Sequence, residues 1–341
     1  MKARMIGKRG PVNRPVAEVQ TDCHNILAGI DSEVERENET LLELKFRLAP
    51  YCRAYYSLAA ASRRSEIPVT VKQNILRSLF SIRTKLENAI LKHVKNVSDL
   101  QQKAFSKSFY GGSSKQGTSI RFALVSCVPT VECGGRCYAH DGRDRDIDMI
   151  FRGVLNYWIG ESYEVGGKLD RQLILDRMLP LTKQAVAKSR AEAYEAAREG
   201  FTRSPRIRFS HIGEMAQTPD FTNALAQQIK SIAPDVECVL YSRHPRVKQL
   251  NENLMTVNFT LESSSDSRRR FAPLTSRLVG SAWDGSAIDG VAINFVEHHV
   301  EKHAPVSGKG HACPVTIAPH ATPTCDRAKC SACFEPVLKN A

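Results

Sequence analysis

Nowhere in the 341 residues does an apolar run approach the roughly 20 residues that cross a bilayer, so no membrane partner is expected. The amino-terminal "MKARMIGKRGPVNRP" is basic and has no apolar core segment, so it does not read as a secretory signal. No G-x-x-x-x-G-K-S/T phosphate loop occurs, and neither does G-x-G-x-x-G or G-x-S-x-G. Nucleotide hydrolysis and serine esterase chemistry therefore lack their usual machinery. Hydrophobic content of 42% and charged content of 25% are ordinary for a globular chain, expected here in the cytoplasm, where thiols stay reduced.

Against these absences stands a supply of cysteine and of positive charge. The net charge is +12, and residues 1–120 hold 20 Lys/Arg against 11 Asp/Glu. A basic region of this kind suits nucleic acid, or is a solvated face. Ten cysteines are present, most of them in two groups. Cys23 and Cys52 stand alone and are expected to be buried thiols.

Residues 1–30 read as a disordered basic tail and 31–110 as a helical region. In "VKQNILRSLFSIRTKLENAILKHV", Val71, Ile75, Leu79, Ile82, Leu86 and Ile90 recur at helical spacing. "ETLLELKFRLAPYCRAYYSLAAA" predicts one or two earlier helices, broken near Pro50. "YGGSSKQGTS", 110–119, reads as a boundary loop. Beyond it β-prone runs alternate with helical ones, the pattern of a parallel α/β sheet or barrel. Six strands are expected: "SIRFALVSC", "RIRFSHIGE", "VECVLYSRH", "MTVNFTLES", "RLVGSAW" and "GVAINFVEH". The fold class expected is α/β, a six-unit β/α partial barrel over 118–305 with a helical insertion at 146–200. A doubly wound sheet is the alternative.

In either architecture chemistry collects at the carboxyl ends of strands, and the unusual residues fall there. Cys127, Cys133 and Cys137 form C-x5-C-x3-C just after the first strand. Three thiolates hold three corners of a 4Fe-4S cube and leave one iron open; with His140 as fourth donor they hold tetrahedral zinc. Gly134 and Gly135 let the loop fold tightly.

This arrangement resembles the radical S-adenosylmethionine superfamily, in which the open iron chelates the cofactor's methionine. The resemblance extends to Tyr138 after the last cysteine and to "HIGEM". There Gly213 and Glu214 match a Gly-Glu motif at the cofactor's amino group. It implies that Glu262, Ser263 and Ser264 in "LESSS" face a ribose or substrate, and that Gly280 in "LVGSAWDG" lies near the adenine. The family spacing is C-x3-C-x2-C, from which this chain departs. Over most of 118–335 the order "CVPTVECGGRCYA", "RIRFSHIGEM", "VLYSRH" and a terminal "CP…C…C..C" is similar to the gene-product-88-type family of phages and plasmids. That likeness implies an architecture and a mobile-element setting.

Near the end, Cys313, Cys325, Cys330 and Cys333 are separated by x11, x4 and x2. A C-x2-C hook within four thiols marks residues 306–341 as a metal-binding segment, for a second iron–sulfur cluster or zinc. His311 and His320 are substitute ligands. Arg243 in "YSRHP" suits a carboxylate or phosphate of the substrate, or is a surface arginine before a turn proline; Glu262 is a separate substrate candidate. "EHHVEKH", with His299 and His303 at i, i+4, reads as a polar loop, and "SRRRF" as a solvated basic run.

The reading that follows is an iron–sulfur, radical S-adenosylmethionine-like enzyme of unknown substrate, fed by an external electron donor. The rival is a non-catalytic zinc protein that contacts nucleic acid through its basic first third.

Overall fold

The structure is a computed structural model. It describes residues 16–312 except 33–38, 62–66, 97–100, 103, 107–108, 114–116, 131–132, 134–136, 141–145, 167–168, 201–202, 264, 274–275, 281–287 and 295–310. The chain divides into two compact units, one of Met1–Val97 with Pro129–Phe151, the other of Ser98–Val128 with Arg152–Ala341.

The first unit is built on three mutually packed helices, α1 (Val16–Ser32), α2 (Leu41–Ala61) and α3 (Val69–Asn96). A capping box starts α2: the Thr40 N–H donates to Glu43 Oε2 at 2.7 Å, and the Glu43 N–H donates to Thr40 Oγ1 at 3.2 Å. On α3 the expected stripe is buried at Ile75, Leu79, Ile82, Leu86 and Ile90, each side chain stabilising by about 1.5–3 kcal/mol, while Val71 at its start is half-buried. Two expectations change here. Residues 16–30 belong to α1 and not to a tail, because Cys23, Ile26 and Ile30 recur at helical spacing and are buried. Pro50 does not break α2, which runs through it. An interior proline costs a helix about 3 kcal/mol, and buried Leu44, Leu48, Cys52 and Tyr55 on either side of it offset that cost.

The second unit is an α/β sheet of eight strands in the order β1 to β8. These are Tyr110–Ser113, Gly117–Ile120, Arg206–Phe209, Glu237–Ser242, Thr256–Leu261, Arg277–Gly280, Ile293–Asn294 and His311–Ala312. All six expected strands are present as β2–β7. The supposed loop at 110–119 instead supplies β1 and the start of β2, an antiparallel pair. The first expected strand is cut short at Ile120, but its ladder continues. The His211 N–H donates to the Ile120 carbonyl and the Phe122 N–H to the Ile212 carbonyl, both at 2.7 Å.

From β2 onward every pairing is parallel and each strand lies beside its predecessor. Strand order never reverses, so the switch point of a doubly wound sheet is absent from the described strands. The expected insertion forms α4 (Ile147–Val165) and α5 (Arg171–Arg198), and α6 (Pro219–Ile232) follows β3. Asp170 caps α5 by accepting from Gln172 N–H at 2.6 Å. Glu192 of α5 accepts from Thr118 N–H at 2.8 Å, which sets that helix on the Thr118 side of the sheet. Ile207, Phe209, Cys238, Leu240, Phe259 and Leu261 share one side and are wholly buried. The alternate positions carry Arg206, Arg208, Glu237, Tyr241, Asn258 and Thr260, together with the buried Val239.

Candidate functional site

The ends of β2, β3 and β4 meet through Gly213 and Glu214. Gly213 has φ +74°, and a Cβ there would lie 2.5 Å from the Ala123 carbonyl oxygen and 2.6 Å from Phe122 Cβ. Only glycine accepts both that backbone conformation and that approach. The Glu214 N–H donates to Ser126 Oγ at 2.7 Å, while the Ser126 hydroxyl donates to the Ala123 carbonyl at 2.6 Å. The Glu214 carboxylate caps the short turn Met215–Gln217, accepting from Ala216 N–H at 3.2 Å. It also accepts from the Ser242 hydroxyl and the Arg243 N–H at the end of β4. Burial pushes this carboxyl up to about 7, against the pull of those donors and of the Arg243 charge.

Beside it, after β4 and β5, lies a charged cluster. Arg243 Nε is 3.4 Å from Glu262 Oε1, and Arg268 Nη2 is 2.9 Å from Glu262 Oε2. Arg268 also pairs with Asp266 at 2.5 Å, and Asp266 accepts from Glu262 N–H at 3.1 Å. The Asp266 carboxyl is held below the usual range by its bonds with Arg268, which outweigh burial. Arg243 and Glu262, predicted separately for substrate, therefore face each other. The "SRRRF" run is corrected in part: Arg268 is half-buried in this cluster rather than solvated. His244 Nδ1 accepts from Arg246 N–H at 3.1 Å, and burial lowers its pKa to about 4.

The cysteine loop divides between the two units. Cys127 follows the 3-10 turn Leu124–Ser126 at the end of the β2 segment, its N–H donating to the Leu124 carbonyl at 2.9 Å. Cys133 and Cys137 belong to the helical unit, where Cys133 N–H donates to Thr130 Oγ1 at 3.0 Å. None of the three forms a disulfide, and all lie at partly exposed positions. In the helical unit the Tyr55 hydroxyl lies 2.5 Å from His140 Nδ1, both side chains buried. Arg83 bonds both Tyr55 and Glu87, the latter at 2.6 Å. Burial, helped by the Arg83 charge, lowers His140 to about 3. The imidazole is neutral, and its tautomer decides which of the two groups donates. His140, weighed as a zinc ligand, thus has that nitrogen committed to Tyr55.

Three free thiols have the donor chemistry for an iron–sulfur cluster or zinc. Among the described residues, no group of three or more His, Cys, Asp or Glu side chains is gathered to hold a metal ion. Cys313, Cys325, Cys330 and Cys333 lie outside the described residues, as do Ser264, His299, His303 and His320. Ser263 is exposed, its hydroxyl 3.4 Å from that of Ser265. Gly280 ends β6 in register with Leu261. Cys23 and Cys52 are buried as expected, their thiols pushed up to about 11 and about 12 by desolvation.

Sequence reasoning missed Ser126, Ser242 and Tyr55. A serine at a strand end or an aromatic on a helix carries no local signal of its long-range partner. No protein-family model matches the chain, and neither a curated protein nor a solved structure matches it.

Proposed function

We propose that the chain is an iron–sulfur enzyme of the radical S-adenosylmethionine type, in the mobile-element setting that its likeness to the phage and plasmid family implies. Cys127, Cys133 and Cys137 would hold a 4Fe-4S cluster, and Gly213 with Glu214 would orient the cofactor. The observation that carries this reading is the buried Glu214 carboxyl, tied to the ends of three consecutive parallel strands. On this reading the sheet curls into a partial barrel, for which an unreversed strand order is a precondition. Metal binding and loop folding are coupled in such sites, so Cys127, Cys133 and Cys137 would be drawn together on binding.

When bound, such a cluster would supply the electron for reductive cleavage of S-adenosylmethionine, and so hydrogen-abstraction chemistry on a substrate. This chain's residues would position the reactants. Glu214, poised near neutrality, would accept a hydrogen bond from the cofactor's amino group, and a hydrogen bond to the charged form favours the carboxylate. Arg243 and Glu262 would hold the substrate, Ser263 and Gly280 would flank the cofactor, and the four carboxyl-terminal cysteines would carry a second cluster or zinc.

The test is anaerobic purification followed by metal and sulfide analysis. Brown protein that releases 5′-deoxyadenosine from S-adenosylmethionine with a reductant is expected. Cys133→Ala with Cys137→Ala should lose one cluster's iron. Glu214→Gln should keep its iron and lose 5′-deoxyadenosine formation. A colourless zinc protein with salt-dependent nucleic-acid binding would establish the rival, and full iron retention in the double cysteine variant would remove the first cluster.

A further inference from the structure

Two short 3-10 turns, Pro245–Gln249 ("PRVKQ") and Ser267–Phe271 ("SRRRF"), follow the carboxyl ends of β4 and β5 and pack together. Between them they hold Arg246, Lys248, Arg268, Arg269 and Arg270, and no carboxylate. They lie at the edge of the sheet that also carries Arg243 and Glu262.

Burial sorts the charges at this edge. The carboxylates face inward: the side chains of Glu262 and Asp266 are each 8% exposed and held by Arg268, and that of Glu164, beside Arg246, is 13% exposed. Lys248, Arg269 and Arg270 face outward and are exposed. Neither Lys248 nor Arg270 has a hydrogen-bonding or ion-pair partner for its side chain among the described residues. Arg269 spends one nitrogen on the neutral Gly290 carbonyl, at 3.1 Å, so its charge is not cancelled. Arg270 lies over the Phe271 ring, 4.8 Å from its centroid. An ordinary charged surface looks different. On α5 the exposed Arg171, Arg190 and Arg198 each face a carboxylate, of Asp220, Asp235 and Glu195.

Cations left uncompensated side by side attract a polyanion. Guanidinium forks match phosphate oxygens, and a guanidinium backed by a ring leaves its other flat face for a nucleobase. An acidic peptide offers carboxylates but no such base. We propose that these two turns form a nucleic-acid-binding surface, with Lys248, Arg269 and Arg270 on the phosphates of a strand and the Arg270–Phe271 stack against a base. The surface is separate from the basic first third of the chain and stands without the cluster. That the bound strand is also the substrate rests on the radical reading.

Fluorescence anisotropy of the full chain with a short labelled single-stranded DNA, and with RNA of the same sequence, tests the proposal across a range of salt. At least one should bind, more weakly as salt rises. Lys248→Gln with Arg270→Gln should bind about tenfold more weakly or worse, and its slope of log affinity against log salt should shrink by about 1.4, two phosphates at about 0.7 each. If that variant does not fold, Lys248→Gln alone decides, with about half the change in slope. Lys183→Gln with Arg198→Gln removes two exposed charges from α5 and should bind as the parent does. No binding by the parent overturns the proposal, as does an equal loss in the α5 variant. Unchanged binding in the turn variant also overturns it and moves the contact to the basic first third. Polyglutamate should compete poorly, and equal competition would overturn nucleic acid in favour of an acidic peptide. Iron and 5′-deoxyadenosine measured on the same samples keep the two proposals separable. Colourless protein that binds through the turns leaves this surface standing and sinks the cluster; brown protein that cleaves S-adenosylmethionine but binds no strand does the reverse.

Discussion

Gly213 sits so close to Ala123 that a Cβ would come within 2.5 Å of the Ala123 carbonyl oxygen. Two consecutive strand ends are thereby locked backbone to backbone, and Glu214 is delivered to Ser126. Gly213→Ala should cost at least about 2 kcal/mol, combining left-handed strain of about 1–2 kcal/mol with a backbone clash. Gly166 provides the control: its φ is +65° with nothing within 4 Å, so its alanine variant should show the strain alone. Urea unfolding of both variants measures the difference, and equal losses would show that the contact is unimportant.

Glu214 predicts a stability that declines toward neutral pH. Its carboxyl is raised from 4.5 to about 7 in the fold, so the native state holds the proton more tightly than the unfolded chain. The contribution is full below about pH 4.5, falls as pH rises through 7 and is flat above, a change of roughly 3 kcal/mol. Glu214→Gln should remove that slope. Subtracting its unfolding free energies from the parental ones between pH 4.5 and 8 isolates the group.

Buried His140 gives the opposite slope, through desolvation and the nearby Arg83 charge. His140 is lowered from 6.5 to about 3, so its contribution is present above pH 6.5 and is lost as pH falls toward 3. His140→Gln should unfold less steeply in acid than the parent. Tyr55→Phe removes the phenol partner from a buried ring nitrogen and should cost about 1–3 kcal/mol at pH 7. Acid titration followed by circular dichroism reads both effects.

Arg83 and Glu87 form an ion pair with both side chains fully buried. Arg83→Met strands a buried carboxylate and should cost roughly 3–5 kcal/mol. Adding Glu87→Met should recover much of that loss, because an apolar pair of similar volume removes the uncompensated charge. A double-mutant cycle by denaturant unfolding checks this. Additive costs would mean the pair is not coupled.

Much of the fold was legible because burial imposes period. The α3 stripe, the buried Cys23 and Cys52 and six strands in order follow from apolar positions recurring at helical or alternate spacing. The "GE" pair was legible as a motif. Its physical necessity, a positive φ against a neighbouring backbone, was not. Pro50 misled because local propensity marked a break where buried neighbours on both sides hold the helix together.

Taken by itself, the sequence determined which residues leave water and in which kind of element, since amphipathic spacing is a property of neighbours along the chain. Tertiary structure alone decided the partners. It set His140 beside Tyr55, 85 residues away, and Glu214 on Ser126, 88 residues away. It also assigned Pro129–Phe151 to the helical unit and aligned Arg206 with Glu237 and Arg208 with Val239 of a strand that comes later. A buried polar group must find a bonding partner, but nothing local specifies which distant group will be brought within reach.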